Sequence, residues 1–502
     1  MAPAVPDTRY KPQSSAARKL ALVLGLGALL AGCATLDPSF NKQPPAPAPV
    51  TLPGNAPVTT GVESPEEQEH RRLVALYGGE YFNAPTERLL SDVLVKLAHV
   101  NESSPEPYRL TLLNSAVVNA FALPSGRIYV TRGLVALAND TAEVAAVMAH
   151  EIAHVTANHA TQRAELEKNS ALISKAATII QNPEKGQQVQ AFRRLSLASF
   201  SRAQEFEADR LGVANIAKAG FDPYGAARFL TSLGHSAALR ASLIGQKNNS
   251  ERPDILSTHP STPERIREAT LAARQIAAPD TGERGHDAYL SAINGIVFGD
   301  DPSEGIIRAN RFIHAKLGFA FTAPQGFVLE NSSQALLGLS AGGTDSLRLD
   351  SVRLAASSGL DDYIKSGWID GLNVGSVTLG TIHDLPAAFA TAQDGGWTFK
   401  LAVVRFGADV YRLIFATKAL TSDNELKFTA AMNSFRRISP EEAAQVKPLK
   451  IGVLTASAGD TIASLAARMV FSDRPEDHFR LLNGLEIGAP LVPGAKYKII
   501  TE

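Results

Sequence analysis

Two histidines and a glutamate with a fixed spacing are the residues of this chain best suited to metal chemistry. They lie in the segment His150-Glu151-Ile152-Ala153-His154. On a helix, residues four apart are offset by only about 40° and one turn, so both imidazoles can reach one ion. Glu151 lies about 100° from His150, where a general base for an attacking water belongs. The spacing therefore predicts a Zn2+ site with His150 and His154 as ligands and Glu151 as the catalytic base.

A tetrahedral zinc site needs a third protein ligand, and a second helix offers one. On the first helix, His159 would lie about 180° around the axis from His150 and would face away. The second helix is predicted over residues 196–219, where Glu205 and Asp209 lie one turn apart on one face. We predict that Glu205 is the third ligand and that the Asp209 carboxylate orients a ligand histidine through its other ring nitrogen. The alternative is a solvated acidic helix face.

Two further residues are candidates for catalysis. His259 precedes Pro260, which favours an extended loop conformation. Its imidazole could approach the metal as a fourth ligand or donate to the oxyanion, or it could be an ordinary loop histidine. Arg265 could stabilise the oxyanion, and the alternative is an ordinary surface or ion-pair residue.

Together the two motifs resemble family forty-eight of the metallopeptidases. The likeness covers roughly residues 66–278, including Thr258-His259-Pro260 and a predicted strand of four residues: Asn119, Ala120, Phe121 and Ala122. It implies a mainly helical gluzincin-type metalloprotease domain with a small β-sheet, one zinc ion per chain and endopeptidase activity. We predict that the strand pairs with an extended peptide, so that main-chain hydrogen bonds recognise locally unfolded polypeptides.

The elements that must position these residues follow from the hydrophobic pattern. Strands are predicted at residues 110–113, 117–122 and 127–131. Asp140, with Glu143 three residues later, has the spacing of a capping box and predicts the start of the helix that carries the first motif.

The amino-terminal residues 1–33 have the pattern of an export signal. A basic pair precedes an apolar run, residues 20–31, which ends in Leu30-Ala31-Gly32-Cys33. This ending resembles a bacterial lipoprotein signal, which implies lipidation of Cys33, and the residue after it, Ala34, implies the outer membrane. The alternative is a plain signal peptide. Residues 34–65 are rich in proline and are predicted to form an extended linker. No later transmembrane helix is predicted, so the chain is similar to the soluble periplasmic branch of the family.

The carboxyl-terminal half predicts two smaller units after a linker at residues 279–310. Residues 311–440 show alternating strands with a few helices and loosely resemble PsbP-like α+β domains. Residues 448–502, with Gly459-Asp460-Thr461-Ile462 opening a helix, resemble a LysM module, a small α+β fold that binds peptidoglycan. The same turn is also a common helix cap. The predicted fold class is therefore multidomain.

Composition excludes some other classes of protein. The net charge of the 502 residues is −1, without a block of like charges, so no nucleic-acid partner is expected. Cys33 is the only cysteine, which excludes an intrachain disulfide and a zinc site built on several thiolates. We predict a zinc metalloendopeptidase that is lipid-anchored in the bacterial periplasm and degrades extended or misfolded proteins for quality control. The alternatives are a non-proteolytic zinc-containing chaperone or scaffold, and a peptidoglycan-binding lipoprotein.

Overall fold

A three-stranded sheet with helices packed on it forms the first part of the fold. The computed structural model describes residues 64–101, 108–163, 200–244, 255, 259–332, 334–340, 342–470 and 474–502. Two helices and three strands come first: α1 (Pro65–Leu76), α2 (Ala84–Val100), β1 (Arg109–Leu113), β2 (Ala120–Ala122) and β3 (Arg127–Thr131). Strand β3 is central, parallel to β1 and antiparallel to β2. The outer edge of β2 pairs with no other described strand.

Six further helices follow in the described chain. They are α3 (Arg132–Leu137), α4 (Thr141–Thr156), α5 (Arg202–Lys218), α6 (Gly225–Ile244), α7 (Pro263–Ile276) and α8 (His286–Ile293). Helix α4 packs against α2, α5, α6 and the sheet, and every residue from Thr141 to His154 is buried. A helix enclosed on all sides cannot shift without disturbing several neighbours, so α4 is a rigid platform for the residues that it carries.

Side-chain caps fix the beginnings of the two helices that carry the predicted motifs. Asp140 accepts a hydrogen bond from the backbone N–H of Glu143 at 2.9 Å, as predicted. The Glu143 carboxylate accepts from the N–H of Asn139, one residue before the position that a capping box uses. Helix α5 begins later than predicted, because Ser201 and Gln204 form a capping box immediately before and inside its first turn.

Two antiparallel sheets follow the helical part. Strands β5 (Ile306–Arg308), β6 (Arg311–His314), β7 (Phe319–Thr322) and β15 (Arg436–Arg437) form one sheet in the order β15-β7-β6-β5. The other has the order β11-β12-β13-β14-β10-β9-β8 and contains β8 (Phe327–Asn331), β9 (Ala335–Ser340), β10 (Asp345–Arg353), β11 (Leu372–Ile382), β12 (Leu385–Asp394), β13 (Trp397–Phe406) and β14 (Asp409–Thr417). Helices α9 (Leu360–Ile364) and α10 (Ser422–Asn433) pack on these strands. This part has the mixed composition expected of an α+β domain.

The last residues form a small unit that shares its core with the helical part. It contains β16 (Leu449–Thr455), α12 (Ile462–Ala466), α13 (Pro475–Leu482) and β17 (Lys496–Thr501), and a short helix, α11 (Pro440–Ala444), precedes it. Strand β16 pairs with β17 and also with β4 (Val297–Phe298). Residues 279–310 were predicted to be a linker, but they contain α8 and β4, and Tyr289, Leu290 and Ile293 are completely buried beside α4. The apolar residues of α8 therefore belong to the core.

A buried lysine ties the carboxyl-terminal strand to the helical part. Lys498 has no exposed surface. Its Nζ donates to three backbone carbonyls at the end of α3, those of residues 136, 137 and 138, at 2.8, 3.3 and 2.6 Å. Because the last carbonyls of a helix have no partner within the helix, this ammonium group caps α3 immediately before α4 begins.

The predictions for the amino terminus lie outside the described residues. These are the signal at residues 1–33, the lipidation of Cys33 and nearly all of the linker at residues 34–65. Within the described ranges, no helix combines the length and the apolar character that crossing a bilayer requires.

Candidate metal centre

Helix α4 presents His150 and His154 to the same point, one turn apart. Their Nε2 atoms lie 3.0 Å from each other, and both side chains are buried. The ring of Phe200 stacks on His154, with the ring centroids 3.9 Å apart. Two imidazole nitrogens that face each other in a buried site need a shared cation or proton between them.

Two more side chains complete the cluster from other elements. Glu205 lies in the first turn of α5, and its two carboxylate oxygens are 3.6 Å from Nε2 of His150 and 3.6 Å from Nε2 of His154. Nδ1 of His259 lies 2.8 Å from the Glu205 carboxylate and 3.2 Å from Nε2 of His150. These four residues offer one donor atom each within 4.8 Å of one another.

The donor set fits a zinc ion. In a tetrahedral site, donors that each lie ~2.0–2.1 Å from zinc are ~3.3 Å apart, which is close to the separations in this cluster. Neutral imidazoles with one carboxylate are also ligands that zinc prefers. His150, His154 and Glu205 would leave a fourth position open, as catalytic sites do, whereas His259 as a fourth ligand would close it. The geometry favours the metal-ligand alternative for His259 over an ordinary loop histidine.

The backbones of α5 and α4 approach each other closely at Gly212 and His150. A Cβ atom added to Gly212 would lie 3.3 Å from the backbone nitrogen of His150 and 3.4 Å from its Cα. These distances are shorter than ordinary van der Waals contacts. The absence of a side chain at Gly212 therefore lets Glu205 and Asp209, on the same helix, reach the imidazoles of α4.

Glu151 lies beside the cluster with an oxygen that has no hydrogen-bond partner among the described residues. This atom, Oε1, is buried, and the nearest ring nitrogen of His259, Nε2, is 3.6 Å away. A buried carboxylate oxygen without a partner is costly, so this position beside the candidate metal ligands marks Glu151 as a candidate functional residue.

Asp209 and Arg265 contact the cluster on the side of His150 and Glu205. Oδ1 of Asp209 lies 3.0 Å from Nδ1 of His150, the nitrogen that points away from the other donors. The Arg265 guanidinium donates to both oxygens of Asp209 at 2.7 Å and lies 2.8 Å from Glu205. This distance is compatible with the predicted role of Asp209, which stays a prediction. Arg265 is buried in these ion pairs, an arrangement that favours a positioning role over the predicted contact with the oxyanion.

The electrostatics of the cluster suit metal binding at His154 and Glu205, whereas His150 must lose a proton before it can bind a metal. Burial and the neighbouring imidazoles hold the pKa of His154 far below its usual range. Burial opposes the charged form of Glu205, yet hydrogen bonds from His150 and His259 hold its pKa well below the usual range. Burial lowers the pKa of His150, but the carboxylates of Asp209 and Glu205 raise it to about 9. Burial raises the pKa of Glu151. A neutral His154 and an ionised Glu205 are the forms that bind a metal.

His159 lies beside the cluster, although helical spacing predicts that it faces away. That prediction requires α4 to continue past residue 156, but the helix ends at Thr156 and Asn158 has a left-handed φ of 55°. The chain therefore turns, and Nδ1 of the buried His159 lies 2.9 Å from Nδ1 of His154. The asparagine, a residue that tolerates this conformation, was the one signal in the sequence for the turn.

A cavity of about 500 Å³ connects the cluster to strand β2. Asn119, Phe121 and Ala122 line it together with Glu151 and His154. Phe121 stacks on Tyr129, at 4.7 Å between ring centroids, and packs on Tyr77. The predicted strand and the predicted metal site therefore line one cleft.

The segment that carries this site is similar to metallopeptidases. Residues 84–273 match the family described as Peptidase family M48. The match covers α2 to α7 and contains all four residues of the cluster. It supports the predicted family for this segment, and the family implies a divalent metal.

Curated proteins similar to this chain are metalloproteases. The Beta-barrel assembly-enhancing protease of Escherichia coli (strain K12) is 30% identical over 222 residues, which are 42% of this chain and 42% of that protein. The Mitochondrial metalloendopeptidase OMA1 of Arabidopsis thaliana is 32% identical over 188 residues, 36% of each chain. The chain thus spans about two-fifths of the length of these relatives.

Solved structures give weaker likenesses. The solution structure of cyanobacterial PsbP (CyanoP) from Synechocystis sp. PCC 6803 is 10% identical, covers 26% of this chain and 95% of that one, and has a TM-score of 0.20. A likeness of this strength does not establish the fold of residues 311–440, so the PsbP-like assignment stays a prediction.

Proposed function

We propose that this protein is a zinc-dependent endopeptidase that hydrolyses extended or locally unfolded polypeptides at the bacterial cell envelope. The observation that carries the proposal is the convergence of His150, His154 and Glu205, from two separate helices, beside the buried carboxylate of Glu151. The family match to residues 84–273 supports the same chemistry.

Each side chain of the centre has a distinct task. His150, His154 and Glu205 would hold the ion, and Asp209 would orient His150. When bound, zinc supplies Lewis-acid polarisation of a carbonyl and makes water a stronger acid. Glu151 takes the proton of the attacking water at Oε1 and later delivers it to the departing amine. A structural metal site needs no such carboxylate, so Glu151 favours an enzyme over a chaperone or scaffold.

Strand β2 is the proposed docking edge for the substrate. An extended peptide that adds to its outer edge would run along the cleft lined by Phe121, Glu151 and His154. Recognition by main-chain hydrogen bonds requires that the substrate is locally unfolded, and it gives a loose sequence preference. These properties suit the removal of misfolded envelope proteins.

The cellular setting is proposed from the sequence pattern. Lipidation of Cys33 would anchor the protein at the periplasmic side of the outer membrane, with residues 34–65 as a tether. The unit at residues 448–502 contains two helices between two antiparallel strands, a layout that suits the LysM-like proposal. Sedimentation with purified sacculi tests its binding to peptidoglycan: a protein that stays in the supernatant lacks this function.

The exchange Glu151→Gln tests the proposed activity. It keeps the shape of the side chain and removes the base, so we expect cleavage of unfolded casein to fall by a factor of about 10² to 10⁴ while zinc content is unchanged. Glu268→Gln, the same exchange at an exposed position of α7, is the matched control and should cleave like the wild type. Equal cleavage by wild type and Glu151→Gln, or no cleavage by either, contradicts the proposal.

A further inference from the structure

His159 is a buried histidine outside the ligand set, with both ring nitrogens near other polar groups. Its side chain is 1% exposed. Nδ1 lies 2.9 Å from Nδ1 of His154, and Nε2 lies 3.4 Å from a carboxylate oxygen of Glu207, whose side chain is half exposed. The ring thus bridges a side chain of the metal cluster and an acidic side chain on α5.

The direction of the hydrogen bonds follows from the role of His154. Nε2 of His154 faces the other donor atoms of the cluster, so as a ligand it carries no proton. A neutral imidazole then has its proton on Nδ1, which donates to Nδ1 of His159. The proton of His159 therefore lies on Nε2 and points to the Glu207 carboxylate, which accepts it.

We propose that Glu207, His159 and His154 form a hydrogen-bonded chain in which His159 is a positioning residue for the metal site. The inference rests on the proposed function, because it gives His154 the role of a ligand. The chain fixes both the tautomer and the ring orientation of His154, as Asp209 does for His150. Partners of this kind typically change metal affinity 10- to 100-fold when they are removed.

Glu205 and Glu207, both on α5, approach the His154 ring from different sides. Glu205 and Glu207 are two residues apart on this helix, so their side chains diverge. Glu205 enters the cluster directly, at 3.6 Å from Nε2 of His154, while Glu207 reaches the opposite nitrogen of the same ring through His159. Helix α5 therefore reaches one end of the His154 imidazole directly and the other through His159.

The test is the zinc dissociation constant, measured by competition with a chromophoric chelator on the full chain. His159→Leu removes both hydrogen bonds and should weaken zinc binding 10- to 100-fold. His159→Asn places an amide oxygen where Nδ1 lies, so it keeps an acceptor for His154 and should lose less. His235→Leu, on the exposed face of α6, is the matched control and should bind like the wild type.

A double-mutant cycle separates the chain from general packing effects. Glu207→Gln should weaken zinc binding in the wild type, and it should have no further effect in the His159→Leu background. Because Glu207 is half exposed, this variant should fold even where His159→Leu does not. Circular dichroism and the thermal midpoint of each apoprotein report on the fold independently of the metal.

The outcomes distinguish this inference from the proposed function. A wild-type protein that binds no zinc overturns both proposals. Equal zinc affinity for wild type and folded His159→Leu, or a Glu207→Gln effect that persists undiminished without His159, overturns this inference alone.

Discussion

The carboxylate of Asp209 lies 3.0 Å from Nδ1 of His150, on the side of the ring that faces away from the metal-binding cluster. The same carboxylate receives two hydrogen bonds of 2.7 Å from Arg265. The arginine thus fixes the aspartate, and the aspartate fixes the ligand. Such a linked arrangement orients an imidazole before any ion arrives.

Asp209→Asn should therefore weaken zinc binding 10- to 100-fold. The exchange keeps the shape of the side chain, but it leaves Arg265 with a neutral partner in a buried site. Isothermal titration or chelator competition measures the affinity. Asp222→Asn is the matched control, because Asp222 is also buried and accepts from an arginine, Arg228 at 2.6 Å, outside the cluster. The control should lose stability and keep its zinc affinity. Equal losses of affinity in both variants would refute a specific role for Asp209.

His259→Ala separates the two roles that His259 could have in the reaction. Its Nδ1 lies among the donor atoms, so we expect it to be a displaceable fourth ligand, and the three remaining ligands should keep zinc bound. Casein cleavage by His259→Ala should then be at least as fast as by the wild type. A donor to the oxyanion would give the opposite result, a fall in kcat of about 10²- to 10³-fold. Steady-state kinetics, with Glu151→Gln as the inactive reference, decides between them.

Gly212→Val should disturb the metal centre through the backbone. The new side chain would begin 3.3 Å from the backbone of His150 and would push α5 away from α4. We expect a loss of about 1–3 kcal/mol in the free energy of unfolding, together with weaker zinc binding. The matched control is Gly234→Val in α6, where the nearest atom to an added Cβ is 3.7 Å away. It has the same helix propensity effect and should leave zinc affinity unchanged.

His314, in the sheet β15-β7-β6-β5, predicts a pH dependence of stability. Burial, followed by the charge of Lys316, lowers the pKa of this imidazole to about 4, and Nδ1 accepts a hydrogen bond from the N–H of Leu317. Because the folded-state pKa lies below the unfolded value of ~6.5, the unfolded chain binds the proton first as the pH falls. Stability is therefore lost between about pH 6.5 and pH 4, by about 3 kcal/mol in total.

The free energy of unfolding is measured at pH 7.5 and at pH 4.5, for the wild type and for His314→Gln. The wild type should lose more stability than the variant on acidification. His235→Gln, at an exposed position, should follow the wild type. Parallel pH profiles for wild type and His314→Gln would show that the buried histidine contributes nothing to the pH dependence.

The convergence of the two histidines of α4 could be predicted because its geometry is local. Helical spacing alone places His150 and His154 on one face, and the cap at Asp140 marks where the helix begins. Glu205 and Asp209 could be paired with each other for the same reason. That α5 meets α4 at His150 depends on the missing side chain of Gly212, a tertiary contact that no periodicity reveals.

Contacts between distant segments could not be predicted. The ammonium group of Lys498 caps α3, which lies about 360 residues earlier in the sequence. Because lysine side chains are mostly exposed, the sequence pattern predicts a surface position for Lys498. Strand β4 is only two residues long, so its pairing with β16 leaves no recognisable pattern, and the segment around it looked like a linker. His159 was misplaced because the helix was extended beyond a turn made by one asparagine.

Metal analysis of the purified protein tests the central claim most directly. Inductively coupled plasma mass spectrometry of the dialysed wild type should find one zinc per chain, and Glu205→Ala, with an unchanged circular dichroism spectrum, should retain almost none. A folded wild type without zinc, or a Glu205→Ala variant that holds as much zinc as the wild type, would contradict the account.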